Sequence, residues 1–206
     1  MEDDFYKTAA KSGVAELTDR KSRFIAAVGF AASRPDFTAL LEREKKKYPD
    51  ATHHCWAFRI GFPQPEELSG DDGEPSGSAG LPILRVLTGA DLTNVACIVT
   101  RYFGGTKLGV GGLMRAYSQA ASAAVQNAAI IERPITERFR IALPYDIHSD
   151  FERALKKNGG KILEAEYESE VRIIYELPTR EIESLEETLA NISKGKVKAK
   201  RIKKNI

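Results

Sequence analysis

The run FRIALPYDIHSDFERALKKNGGKILEAEYESEVRIIYELPTREIESLEETLANISKGKVKAKRI, residues 139–202, decides the fold of the second half of the chain. Phe139, Ile141 and Leu143 recur at every second position, the period of a half-buried strand. Ser149-Asp150-Phe151-Glu152 has the form of a capping box. It predicts a helix that opens there and stops at Asn158-Gly159-Gly160. Lys161 to Tyr167 and Val171 to Leu177 read as two more strands. Thr179 is the expected cap of a second helix, whose apolar face is Ile182, Leu185, Leu189 and Ile192 and which Gly195 ends. Alternation resumes from Lys196 to Ile202. The order βαββαβ is the ferredoxin-like arrangement, with both helices expected on one face of a small sheet.

Upstream of this run, Glu132-Arg133-Pro134-Ile135-Thr136 breaks the pattern with proline and charge. It sets the expected boundary between a domain of residues 1–133 and one of residues 134–206. In the first domain, Phe24 to Phe30 and Thr52 to Ile60 read as strands. Ser33-Arg34-Pro35-Asp36 opens a helix that Pro49 stops. Residues 62–80 hold several prolines and Gly70, Gly73, Gly77 and Gly80, and are read as one long loop. A short helix is expected from Gly80 to Leu87, and an apolar strand from Val95 to Tyr102. After Phe103-Gly104-Gly105-Thr106 comes a long helix from about Gly112. Its Ala116, Ala120, Ala124 and Ala128 allow close approach to a sheet. The fold class is therefore α+β in two domains.

Composition excludes several classes. At 206 residues, 42% hydrophobic and 29% charged, the chain has enough apolar content for a core and is wrong for a disordered protein. The start Met1-Glu2-Asp3-Asp4 is acidic and lacks a basic segment followed by an apolar run, so a secretory signal is not expected. No apolar stretch approaches the roughly 20 residues of a membrane helix. A cytoplasmic location with no membrane partner follows as the expectation. Cys55 and Cys97 are read as reduced thiols, with no four-ligand zinc pattern available. The net charge of +2 makes no case for nucleic acid, but its distribution does.

Three motifs carry a resemblance. They are Lys21-Ser22-Arg23-Phe24; Asp71-Asp72-Gly73-Glu74-Pro75-Ser76-Gly77-Ser78-Ala79-Gly80-Leu81-Pro82; and Thr100-Arg101-Tyr102-Phe103-Gly104-Gly105-Thr106-Lys107-Leu108-Gly109-Val110-Gly111-Gly112-Leu113, continuing to Tyr117. With His53-His54-Cys55-Trp56-Ala57, they resemble the Impact/YigZ family over nearly the whole chain. The resemblance implies an N-terminal domain similar to the second domain of ribosomal protein S5 and to domain four of elongation factor G. It also implies a ferredoxin-like C-terminal domain similar to domain five of that factor. Eukaryotic members regulate translation by competing for a protein activator of a stress kinase, but they carry a different extra domain, so that activity does not carry over to this chain. No established reaction and no cofactor come with the family.

The same residues have physical readings of their own. Gly104, Gly105, Gly111 and Gly112, with a helix N-terminus, fit an anion cradle to which Arg101 and Lys107 add charge. They equally fit tight turns and close packing. Lys21, Ser22 and Arg23 fit either further phosphate donors or a solvated strand end. Asp71, Asp72 and Glu74, with Ser76 and with His53 nearby, suit a hydrogen-bonded or recognition loop better than a metal site, because the spacing is not that of a complete calcium loop. Cys55 and His54 are neighbours on a strand and point to opposite faces, so they are not a catalytic pair. Trp56 and Tyr102 suit core packing or base stacking. The tail gathers Lys194, Lys196, Lys198, Lys200, Arg201, Lys203 and Lys204. As a strand it would line up Lys196, Lys198 and Lys200 in one basic ridge, either a footprint for RNA phosphates or protection of an edge strand. The expected partners are RNA or the ribosome, or a protein that binds it. The alternative is a small-molecule enzyme or a phosphate or nucleotide binder using the N-terminal loops.

Overall fold

The computed structural model describes residues 4–202. The chain divides into two compact units, one of Tyr6–Arg133 and one beginning at Pro134 that also takes in Asp4 and Phe5. Those two N-terminal residues join the second unit because the Ile135 amide donates to the Asp4 carbonyl at 2.8 Å and the Arg180 guanidinium lies over the Phe5 ring.

The first unit is built on five antiparallel strands. They are β2 (Gly13–Asp19), β3 (Ser22–Phe30), β4 (His53–Ile60), β5 (Glu66–Gly70) and β6 (Val95–Tyr102), in the order β2-β3-β6-β4-β5. Helix α1 (Arg34–Lys47) covers one face, where Phe37 meets Phe58, Ile60 and Ala96. Its cap is the one expected: the Ser33 hydroxyl accepts from the Asp36 amide. Helices α2 (Gly80–Gly89) and α3 (Gly109–Gln126) cover the other face. There Ala116, Ala120, Ala121 and Ala124 of α3 are fully buried beside Phe24, Ala26, Cys55, Ala57 and Cys97, so small residues on the helix let it sit close against the sheet. A separate two-stranded ribbon pairs β1 (Phe5–Lys11) with β7 (Ala129–Pro134).

The second unit contains β8 (Thr136–Leu143), α4 (Tyr145–Lys157), β9 (Lys161–Tyr167), β10 (Val171–Pro178), α5 (Ile182–Ser193) and β11 (Lys200–Ile202). The sheet order β11-β8-β10-β9 is ferredoxin-like. Phe139, Ile141, Leu143, Val171, Ile173 and Tyr175 point to the helices and bury Phe151, Leu155, Leu185 and Leu189 against them. Arg138, Arg140, Ala142, Arg172 and Ile174 alternate onto the opposite face, which no helix covers.

Several local expectations are corrected. Residues 62–80 are not one loop: β5 lies within them and pairs with β4. Gly70 is the last residue of that strand, and the ring of its register partner Trp56 occupies the place of a side chain; a Cβ there would lie 2.6 Å from the indole. Helix α3 begins at Gly109 rather than Gly112. Helix α4 begins one residue after Pro144, so Ser149 and Glu152 lie within it and form no cap. Thr179 does not cap α5. It sits in a short 3-10 turn, Thr179–Glu181, and its amide and hydroxyl both donate to the Ile135 carbonyl. The last strand covers only residues 200–202; residues 196–199 lie outside any strand, and Lys203 and Lys204 lie outside the described residues. Among the described residues, no helix is long and apolar enough to cross a membrane.

Candidate functional site

The three motif segments meet at one end of the first sheet. Register explains why: Arg101 on the central strand β6 sits opposite Phe24 of β3 on one side and His53 of β4 on the other. With Cys55 these side chains share the face on which α3 packs. The loop after β5 folds over them.

The centre is a buried ion pair. The Arg101 guanidinium donates to Glu74 Oε1 at 2.5 Å, and both side chains are about 5% exposed or less. The Tyr117 hydroxyl of α3 donates to the same oxygen at 2.8 Å. The second terminal nitrogen of Arg101 donates to Ser22 Oγ at 3.3 Å, and Ser22 is fully buried. The guanidinium also lies 5.3 Å from the Phe24 ring centre and 5.4 Å from that of Phe103. A charge so far from water is tolerated because hydrogen bonds and a partner of opposite sign replace its hydration.

The acidic loop is held from inside. One Asp71 carboxylate oxygen accepts from the amides of Ala79 (3.0 Å) and Gly80 (2.8 Å), the other from Gly77 (2.7 Å). Ala79 and Gly80 open α2, so Asp71 satisfies the helix's first free amides from eight residues upstream. Burial alone would raise the Asp71 carboxyl, but those three amides outweigh it and hold the group below its ordinary value. Asp72 accepts from the His54 amide at 2.6 Å, and its own carbonyl lies 2.7 Å from His53 Nδ1. A carbonyl only accepts, so Nδ1 carries the proton. This leaves Nε2 3.9 Å from Glu74. Burial pushes the His54 imidazole down, toward its neutral form.

The basic candidates separate by exposure. Gly104 is a packing residue: its amide donates to Ser22 Oγ at 3.1 Å, and a Cβ there would lie 2.1 Å from the carbonyl carbon of Lys21. Gly105 turns the chain at φ 84° and is exposed. Lys21, Lys107, Gly111 and Ser76 are exposed, and Gly112 rests against Leu108. The first turn of α3 has no side-chain cap and no acidic residue. The Arg23 guanidinium is held by both oxygens of Glu16, at 2.6 and 3.0 Å. Tyr102 donates to Asp50 at 2.8 Å and carries Arg23 over its ring. Trp56 packs against Phe37 and Phe58 in the core.

Cys55 lies 3.0 Å from the Asp71 carbonyl and 3.3 Å from the Tyr117 hydroxyl, while Cys97 is buried in the sheet. Burial pushes both thiols up to about 12. It also pushes the Tyr117 hydroxyl far up. The thiolate is the nucleophile, and at pH 8 it would be on the order of 1 in 10,000 for such a thiol. Alkylation by iodoacetamide at pH 8 is therefore expected to run at least about a hundredfold slower in the native protein than in urea. Fast labelling of either cysteine in the folded chain would contradict this burial.

In the second unit, Lys196, Lys198 and Lys200 are exposed. Lys198 and Lys200 line a groove of about 610 Å³ on the open sheet face, together with Arg140, Arg172, Glu164 and Glu166. Sequence reading named Tyr117 only as the end of a motif, with no role, and did not single out Arg140 or Arg172. The two arginines were findable, since they occupy the polar phase of the alternation in β8 and β10. Tyr117 looks like one more core aromatic of an alanine-rich helix, and only the fold brings its hydroxyl to Glu74.

Comparison with known proteins places this arrangement. The Impact N-terminal domain model matches residues 20–125, and a domain of unknown function, DUF1949, matches residues 141–196. The IMPACT family member YvyE of Bacillus subtilis is 32% identical over 93% of this chain and 88% of its own length. YigZ of Escherichia coli is 33% identical over 85% and 87%. A solved structure of a hypothetical protein covers 98% of this chain and all of its own at 28% identity, with a TM-score of 0.80. The matched N-terminal segment spans the whole network from Lys21 to Tyr117, and the full-length relatives cover both units: the chain belongs to the IMPACT family.

Proposed function

We propose that this chain is a translation-associated binding protein that contacts RNA of the translation apparatus through the basic side of its ferredoxin-like sheet. The observation that carries the reading is the clustering of Lys198, Lys200 and Arg140 along the groove of the open sheet face, with Lys196 exposed two residues upstream of Lys198 in the chain. Three cations lining one side of a groove suit a phosphate backbone. The groove is lined by no aromatic residue, which favours backbone contact over base reading. Family membership supports the translation context, because the eukaryotic members described above regulate translation.

The test is binding of a fluorescein-labelled structured RNA followed by anisotropy across a salt series. Affinity should fall steeply with salt, since each phosphate contact releases counterions. The triple variant K196E/K198E/K200E should bind weakly and should lower the logarithmic salt slope by about 2 to 3, at 0.7–0.9 per contact. Unchanged affinity and slope in a folded triple variant would remove the ridge as the contact.

The alternative, a phosphate or nucleotide binder on the N-terminal loops, draws support from exposed Lys21 and Lys107 beside the uncapped start of α3. It predicts that a nucleotide or phosphosugar raises the melting temperature of the native protein. A third reading makes the exposed part of the 71–80 loop a protein-recognition surface.

A further inference from the structure

The open face of the ferredoxin-like sheet is two-signed, and its two signs are arranged to fit each other. Lysines lie along the β11 edge and glutamates along the β9 edge. Register defines two rows across the face. One runs Lys200, Arg140, Ile174, Glu164. The other runs Ala142, Arg172, Glu166; Lys198, just outside β11, lines the same groove as these residues and Lys200. Arg172 leans to the acidic side, paired at 3.4 Å with both Glu168 and Glu170.

We infer that this face binds a second copy of the same chain. A two-fold axis parallel to the strands, midway between two facing sheets, lays the β11 edge of one copy over the β9 edge of the other. Lys200 then meets Glu164 of the second copy and Lys198 meets Glu166, twice each by symmetry. Ile174 and Ala142 form the middle strip, where the aliphatic stem of Arg140 covers Ile174 of the second copy. A two-fold axis across the strands would instead set lysine on lysine, so the charge pattern selects one geometry. RNA is the weaker occupant for the whole face, because the glutamate half repels phosphate.

Four strands about 4.8 Å apart, of which β11 is only three residues long, present a face of roughly 380 Å² per copy. That is below what a stable dimer buries, so charge complementarity has to carry the contact and the dimer forms reversibly and weakens with salt. The inference does not rest on the RNA reading, although both draw on Lys198 and Lys200.

The test is sedimentation velocity of the full chain from micromolar to several hundred micromolar, at low salt and at about 0.5 M salt, where screening reaches only a few ångströms. The wild-type protein should shift from one to two chain masses with concentration at low salt, and lose that shift at high salt. The variants E164K/E166K and K198E/K200E should each remain monomeric. Their equimolar mixture should recover the dimer, because the changed edges then face unchanged edges of opposite sign. A wild-type chain monomeric throughout at low salt would overturn the inference. So would dimers that persist in either variant alone, or a mixture that stays monomeric while both variants are folded by circular dichroism. E164K/E166K leaves the lysine ridge intact, so loss of dimer with retained RNA binding keeps this result separate from the RNA reading.

Discussion

Replacing Arg101 with methionine is expected to destabilise the Tyr6–Arg133 unit by about 3–5 kcal/mol, because it strands the Glu74 carboxylate without a cation in a buried site. Glu74 is 9% exposed and its side chain 4%. The Tyr117 hydroxyl, its other close donor, cannot neutralise it. The converse change, Glu74→Met, strands the guanidinium and is expected to cost a similar amount. The double replacement leaves no unpaired charge and should recover most of the loss. Urea unfolding of the four proteins, followed by the single tryptophan at Trp56 in this unit, closes the cycle. Single variants that lose less than about 1 kcal/mol would mean that the pair is solvated, and that the network does not hold the 71–80 loop.

The second large effect is at Gly104. A methyl group there would lie 2.1 Å from the Lys21 carbonyl carbon and 2.4 Å from the Ser22 nitrogen. Both are backbone atoms of the β2–β3 turn, so no side chain can swing aside. Gly104→Ala is expected to cost at least about 3 kcal/mol, at or beyond the upper end of overpacking effects. Gly111→Ala gives the contrast within the same motif. Its methyl meets nothing within 4 Å on an exposed helix turn, and the change should stabilise by about 0.5–1 kcal/mol. Thermal melts of the two variants separate glycines required for close approach from glycines that only line a surface. Similar melting temperatures for both would contradict the packing assigned to Gly104.

The ferredoxin-like half was legible because its strands have one wet and one dry face. Alternation from Phe139 to Leu143 and from Val171 to Leu177 marks both the strands and the side on which the helices lie. In the first half the apolar strands β3 and β6 announce themselves, being buried on both faces. The ribbon strands β1 and β7 do not, since most of their residues are exposed and carry no strong pattern. Strand β5 was hidden because Gly70, which looks like a breaker, is the residue that Trp56 requires opposite it.

The candidate site was legible as a set of motifs but not as a network. Residue types could mark Arg101, Glu74, Ser22 and His53 as unusual. Only the register of β3, β6 and β4 brings them together, and only burial turns Arg101 and Ser22 from solvent-facing donors into parts of an internal lock. Asp71 illustrates the same limit. A carboxylate in a glycine-rich stretch is compatible with several roles, and its three amide partners lie six to nine residues ahead, in a turn that forms only when α2 is in place.

Association with the translation apparatus can be read from a lysate of the source cell sedimented through sucrose gradients at low and moderate salt, with this chain followed through the fractions. The protein should travel with a ribosomal subunit or polysomes at low salt and be released to the top as salt rises. Protein that stays at the top in both gradients would contradict it.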